Sequence, residues 1–195
     1  MKIYLLTHER ELHKKSNTGQ LVLDVLGDEA EIIVWRRKEP DLRLVQLLES
    51  GQAAMLYPDL DGAQGDGAKQ GEGGENGENS ALDRTVMFDI SDFQNFVILD
   101  STWQEARKMY NKSPYLKQAK KISLSVKTPS KYQLRRNQIE GGLSTAECVI
   151  TLLKMQGNVS ASSSSQTNLS QDKPSQLKSS QINQLQAKFE NFNLK

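Results

Sequence analysis

At 195 residues the chain can bury one hydrophobic core, and a single domain is the natural expectation for that length. Hydrophobic residues make up 36% and the formal net charge is +1; the one cysteine, Cys148, excludes an internal disulfide framework and any cysteine-rich zinc site. No apolar run reaches the length of a membrane span, so a cytoplasmic protein with no metal and no membrane attachment is expected.

The opening run Lys2 to Leu6 reads as a buried strand; charges follow it too soon for a signal peptide. A polar stretch, Thr7-His8-Glu9-Arg10-Glu11-Leu12-His13-Lys14-Lys15-Ser16-Asn17-Thr18-Gly19, leads into a helical pattern over Thr18 to Leu26, with Asn17 or Thr18 at its start. His8 and His13 flank Glu11, but this is not the His-Glu-x-x-His spacing and the chain has only 2 histidines, so no metal site is expected. Strands over Glu31 to Trp35 and Ala53 to Tyr57 bracket a helix over Leu42 to Glu49. Residues 61–81 are then rich in Gly and acids with almost no apolar side chains, which reads as a mobile acidic loop.

The run Phe96-Val97-Ile98-Leu99-Asp100-Ser101-Thr102-Trp103 carries the most information. Four apolar residues deliver an acid to a boundary where a helical pattern, Trp103 to Tyr110, begins, and in an α/β protein that boundary is the carboxyl end of a strand, where ligand crevices form. Thr102 and Glu105 fit a capping box, which explains those two residues but gives Asp100 and the Trp103 indole no role. An acid beside a large aromatic suits a site that holds a cation or removes a proton, and burial at a strand end would favour a base. A fifth strand is expected over Lys121 to Leu124 and a helix over Ser144 to Met155. That helix follows Gly141-Gly142-Leu143-Ser144-Thr145-Ala146-Glu147, a second capping box that leaves a helix mouth with free amides. Cys148 falls on its apolar face and reads as core. Residues 157–180 form a Ser/Gln-rich linker, after which Ile182, Leu185, Phe189 and Phe192 recur at helical spacing and should dock back on the domain.

Strand-helix alternation argues for an α/β fold, a mostly parallel sheet with helices on both faces. It gives one domain over 1–156 and 181–195. The charge is divided: Asp61 to Asp92 holds eight acids against two bases, and Asp100 to Glu140 holds ten bases against three acids. Arg107, Lys108, Lys131, Arg135 and Arg136 in the basic half are candidate phosphate contacts, and RNA is the partner they suggest.

Asp100-x-Thr102-Trp103 with the following Gln-x-Ala-Arg-Lys-Met resembles the DTW-domain family, named for its Asp-x-Thr-Trp motif. Leu143-Ser144-Thr145-x-Glu147, the His8-x-x-Glu11 and Asn17-Thr18-Gly19 pair, Met55-Leu56-Tyr57-Pro58 and Ser130 to Arg136 resemble further motifs of that family, in the same order. The chain lacks the N-terminal cysteine cluster of many members and carries the acidic loop and Ser-rich tract in addition. The resemblance implies a fold related to the α/β-knot (SPOUT-like) methyltransferases. It implies transfer of the 3-amino-3-carboxypropyl group of S-adenosylmethionine to N3 of a tRNA uridine, with methylthioadenosine released. On that reading Asp100 is the general base and Trp103 stacks on the uracil or the donor. Thr102, Ser144, Thr145 and Glu147 hold the donor, and His8, Glu11, Asn17 and Thr18 line the crevice opposite. The alternatives are an RNA methyltransferase on the same cofactor and a non-catalytic RNA-binding protein.

Overall fold

The computed structural model describes residues 1–57, 89–124, 130–132, 142–162 and 172–194. The acidic loop 61–81, Arg135 and Arg136 lie outside them. Five strands, β1 (Lys2–Thr7), β2 (Ala30–Val34), β3 (Ala53–Leu56), β4 (Asn95–Asp100) and β5 (Lys120–Ile122), pair in the order β2-β1-β4-β3-β5, every pairing parallel. The helices are α1 (Gly19–Leu26), α2 (Leu42–Glu49), α3 (Trp103–Lys112), α4 (Pro114–Gln118), α5 (Thr145–Ser162) and α6 (Asp172–Asn193).

Because successive strand side chains point to opposite faces, each strand feeds two cores. Ile3, Leu5, Phe96 and Ile98 pack with α1, α5 and α6 on one face. Tyr4, Leu6, Met55 and Val97 pack with Leu44 and Leu48 of α2, Met109 of α3 and Leu116 of α4 on the other. Both faces are therefore covered, as the apolar, non-alternating strands demand.

The C-terminal helix docks as its spacing predicts. Leu185 and Phe189 are buried against the first core, each contributing about 1.5–3 kcal/mol of burial. Gln181 donates to Glu29 Oε2 at 2.8 Å, and Lys188 pairs with Asp24 at 3.4 Å. Helices α5 and α6 reach Ser162 and begin at Asp172, so both extend into the tract expected as a linker, of which 163–171 lie outside the described residues. Gln, Lys and Ser do not break a helix, and Pro174 falls in the first turn of α6, where no donor is lost. Sequence periodicity also missed α4, whose five residues are too few to show a period; Pro114 at its start is its local signal.

The sheet order fixes where a ligand fits. From β1 the chain turns to α1 on one face, and from neighbouring β4 it turns to α3 on the other. Connections leaving in opposite directions open a crevice at the carboxyl ends of β1 and β4. Thr7 and Asp100, the last residues of these strands, are register partners at that point.

Candidate active site

Asp100 and Thr7 share the face of Ile3, Leu5, Phe96 and Ile98, so both project toward α1 and α5. The Asp100 side chain is 0% exposed. Its Oδ2 accepts from Thr7 Oγ1 at 3.1 Å and Asn17 Nδ2 at 3.0 Å, and its Oδ1 accepts from Thr145 Oγ1 at 2.7 Å. The first turns of α1 and α5 both lie against this carboxylate, so the positive ends of two helix dipoles converge on it. Donors and dipoles, rather than a cationic side chain, hold the charge among the described residues.

The Asn17-Thr18-Gly19 sequence has a physical reason at each position. Asn17 donates to Asp100 and to the Glu11 carbonyl (3.0 Å) and accepts from Gly19 N–H at 2.6 Å. Thr18 Oγ1 accepts from Ala146 N–H at 3.2 Å, capping α5 from across the fold. A Cβ on Gly19 would stand 2.7 Å from Asp100 Oδ2, so only glycine lets α1 approach. Three motifs far apart in sequence are thus one hydrogen-bonded knot under the crevice.

The geometry adds detail to several expectations. Asp100 is fully enclosed here, its carboxylate held by Thr7, Asn17 and Thr145. Asn17, Thr18 and Glu11 are buried and support the crevice instead of lining it; of the four residues expected on that wall, His8 alone has exposed surface. Glu147 is occupied. Its Oε2 accepts from Ser130 Oγ (2.7 Å), Ser144 N–H (2.8 Å) and Ser144 Oγ (2.8 Å), while Oε1 accepts from Lys131 N–H (2.7 Å). Ser144 returns the bond to Glu147 N–H at 3.4 Å. The amides of Ala146 and Glu147 at the mouth of α5 are therefore taken within the protein.

Cys148 is partly buried and packs against the first core, its thiol pushed up to about 12 by burial and by the neighbouring Glu147 charge. It stays protonated at neutral pH, so the native chain should resist alkylation by iodoacetamide while the urea-unfolded chain reacts readily. Rapid labelling of the native chain would contradict its place against the core.

A second cluster stands on the open side. Thr102 Oγ1 is 3.2 Å from Glu105 Oε2 and accepts from Glu105 N–H at 3.4 Å, the expected capping box. Glu105 Oε1 lies 3.9 Å from His8 Nδ1, and both side chains keep partial exposure, 17% and 13%. Beneath them Glu11, 1% exposed, takes Lys14 Nζ at 2.6 Å. Burial pushes the Glu105 carboxyl up, but hydrogen bonds with Glu11 and Thr102 and the nearness of His8 and Lys14 outweigh it, and the net shift is downward. His8 Nδ1 accepts from Arg10 N–H at 3.2 Å, and its ring stacks on Trp35 at 5.5 Å.

Trp103, partly exposed, tilts against Tyr57 with ring centroids 6.2 Å apart. Arg107 and Lys108 are exposed on α3. Lys131 is exposed across the crevice, held through its backbone by Glu147. Sequence reasoning missed Thr7 and Gly19 as members of the knot, and Trp35 as the support of His8. The register partnership of Thr7 with Asp100 is a signal visible only once the strands are paired.

The model for the DTW domain matches residues 1–193. Relatives named tRNA-uridine aminocarboxypropyltransferase 2 are 25% identical over 156 residues in Macaca fascicularis, covering 78% of this chain and 47% of the relative. The Drosophila melanogaster relative of that name is 28% identical over 151 residues, covering 75% and 52%. The chain spans about half the length of these curated relatives. No solved structure matches it at the same level of significance. With its Asp-x-Thr-Trp acid at the heart of the knot and the family model spanning residues 1–193, the chain belongs to the DTW domain family.

Proposed function

We propose that this chain transfers the 3-amino-3-carboxypropyl group of S-adenosylmethionine to N3 of a uridine in tRNA and releases methylthioadenosine. The observation that carries the reading is the convergence of the family's motifs on one switch-point crevice, beside an exposed basic helix. The names of the relatives agree with its coarser part, aminocarboxypropyl transfer to a tRNA uridine.

The donor supplies an electrophilic carbon next to a sulfonium, which leaves as a neutral thioether without acid assistance. The residues present suit a cationic donor. The enclosed Asp100 carboxylate lends the crevice a negative field, and Trp103 offers an aromatic face at its edge. Thr102 and Thr145 shape the wall on either side, and Ser144 with Glu147 holds the α5 end of it in place.

Removing the N3 proton falls to Glu105, the partly exposed carboxylate at the open side of the crevice. Its lowered pKa keeps it ionised at neutral pH, so turnover should hold at neutral pH and fall as acid titrates it below the ordinary carboxylate range. Glu105→Gln should lower turnover by about 10²–10⁴-fold while leaving donor binding and melting temperature near wild type. Wild-type turnover in that variant would remove Glu105 from the chemistry. Chromatography of the small-molecule product tests the reaction class: methylthioadenosine supports aminocarboxypropyl transfer, and S-adenosylhomocysteine would mean methyl transfer instead.

A further inference from the structure

The residues assembled so far account for the crevice and leave two tyrosines beside Trp103, Tyr57 and Tyr110, without a task. Tyr57 follows β3, fixed there by its N–H donating to the Ile122 carbonyl at 3.1 Å. Its ring stacks on Tyr110 with centroids 4.5 Å apart and planes 27° apart, and it meets Trp103 at 6.2 Å. Trp103, Arg107 and Tyr110 stand at i, i+4 and i+7 of α3, one stripe on one side of the helix. Lys121 Nζ sits 5.4 Å from the centre of the Tyr110 ring. All three rings keep partial exposure, and Arg107 is exposed.

Tyr57 and Tyr110 pack against the edge of the second core, whereas Met109 of the same helix is buried inside it. All three rings keep part of their surface in solvent, with Arg107 between Trp103 and Tyr110 on α3 and Lys121 beyond Tyr110. Aromatic faces alternating with Lys and Arg are the chemistry that holds unpaired nucleotides: bases stack on the rings and the cations meet the phosphates. The shelf starts at Trp103, next to the crevice wall at Thr102, and runs about 10 Å along α3 to Tyr110.

Building on the reading of the crevice as an RNA-modifying site, we propose that Tyr57, Trp103 and Tyr110, edged by Arg107 and Lys121, form a stacking shelf for an unpaired nucleotide adjoining the uridine that enters the crevice. The occupant is single-stranded RNA of a tRNA loop. The exposed bases of α3, Arg107, Lys108 and Lys112, make a second protein copy carrying the same charge a poor fit.

Titration of a labelled unmodified tRNA transcript, and of a short oligouridylate, tests this with the full chain. Tyr110→Ala and Tyr57→Ala should each weaken binding of both probes about 5- to 150-fold, the loss of one stacked base. Tyr110→Phe and Tyr57→Phe should stay within about threefold of wild type, because a stacking face needs no hydroxyl. Lys121→Ala should weaken binding and reduce the salt slope by about one. Donor binding, read by calorimetry, should be unchanged in the Tyr110 variants, which shows that the crevice is intact. Alanine variants with wild-type melting and wild-type RNA affinity would overturn the shelf, as would Phe variants as weak as the Ala ones. A change in sedimentation with RNA affinity untouched would assign the surface to a second copy. If the wild-type chain modifies tRNA while the Ala variants bind it normally, the shelf falls and the crevice reading stands; if the wild type binds no tRNA, both fall.

Discussion

Asp100→Ala should cost about 3 kcal/mol of stability, because it removes the shared acceptor of three buried hydrogen bonds, from Thr7, Asn17 and Thr145, leaves Thr7 only the Leu5 carbonyl, and opens a void between two helix ends. For a chain of this length that is a fall in melting temperature of roughly 10 °C. Asp100→Asn is the more telling variant. Its amide oxygen can still serve Thr7 and Asn17, while its NH₂ must face Thr145, whose hydroxyl can turn to accept. The loss is then the charge assistance and the helix-dipole interaction, about 1–3 kcal/mol, and the loops that shape the crevice loosen. Donor affinity and turnover should fall together. A group acting only as a base would lose turnover alone, the outcome expected for Glu105→Gln. Thermal melting and calorimetry on the two variants separate these roles, and an Asp100→Asn chain with wild-type melting and donor affinity would return Asp100 to the base role.

Gly19→Ala is the second large effect, and two contributions of opposite sign compete in it. Alanine favours a helix over glycine by up to about 1 kcal/mol, less at the first position. Against this, the new methyl would lie 2.7 Å from Asp100 Oδ2 and 3.0 Å from Asn17 Oδ1. Neither atom can retreat, since one takes hydrogen bonds from Thr7 and Asn17 and the other accepts from Gly19 itself. Overpacking of this kind costs about 1–3 kcal/mol, so the clash wins and the melting temperature should drop by roughly 2–10 °C, with donor binding weakened as the knot spreads. A higher melting temperature in the alanine variant would mean that α1 does not press on Asp100.

Much of this architecture is legible in the chain. The Ile, Val and Leu runs give five strands at the right places, and the run ending at Asp100 marks the crevice. Periodicity finds α1, α2, α3, α5 and the docking face of α6, and the two capping boxes are where Thr102-x-x-Glu105 and Ser144-x-x-Glu147 place them. What the sequence hides is which hydrogen-bond partners are already spent. Asp100, Ser144 and Glu147 read as available functional groups because each is polar and sits at an element boundary. Only the fold brings Thr7, Asn17 and Thr145 onto the first and Ser130 and Lys131 onto the last, and so shows which of their atoms are hydrogen-bonded within the protein. The same limit applies to Tyr57 and Tyr110, fifty-three positions apart and in stacking contact only because β3 lies beside β4. Glu105 was absorbed by its capping box in the sequence; its second role shows only where His8 and Glu11 come up from the loop after β1.

The crevice and the shelf divide the work between two faces of α3's first turn. Thr102 and Glu105 look into the crevice, while Trp103 turns toward Tyr57 and leads away along the basic stripe. A loop nucleotide stacked on the stripe would hold its neighbour over the crevice, so the chemistry needs only a positioned uridine and a positioned donor.

The measurement that bears most directly on this reading is mass spectrometry of the nucleosides from unmodified tRNA incubated with the chain and S-adenosylmethionine. A uridine heavier by one 3-amino-3-carboxypropyl group is the predicted product, absent without the donor and strongly reduced with Glu105→Gln. A methylated nucleoside, or tRNA returned unchanged by a folded chain that binds the donor, would contradict it.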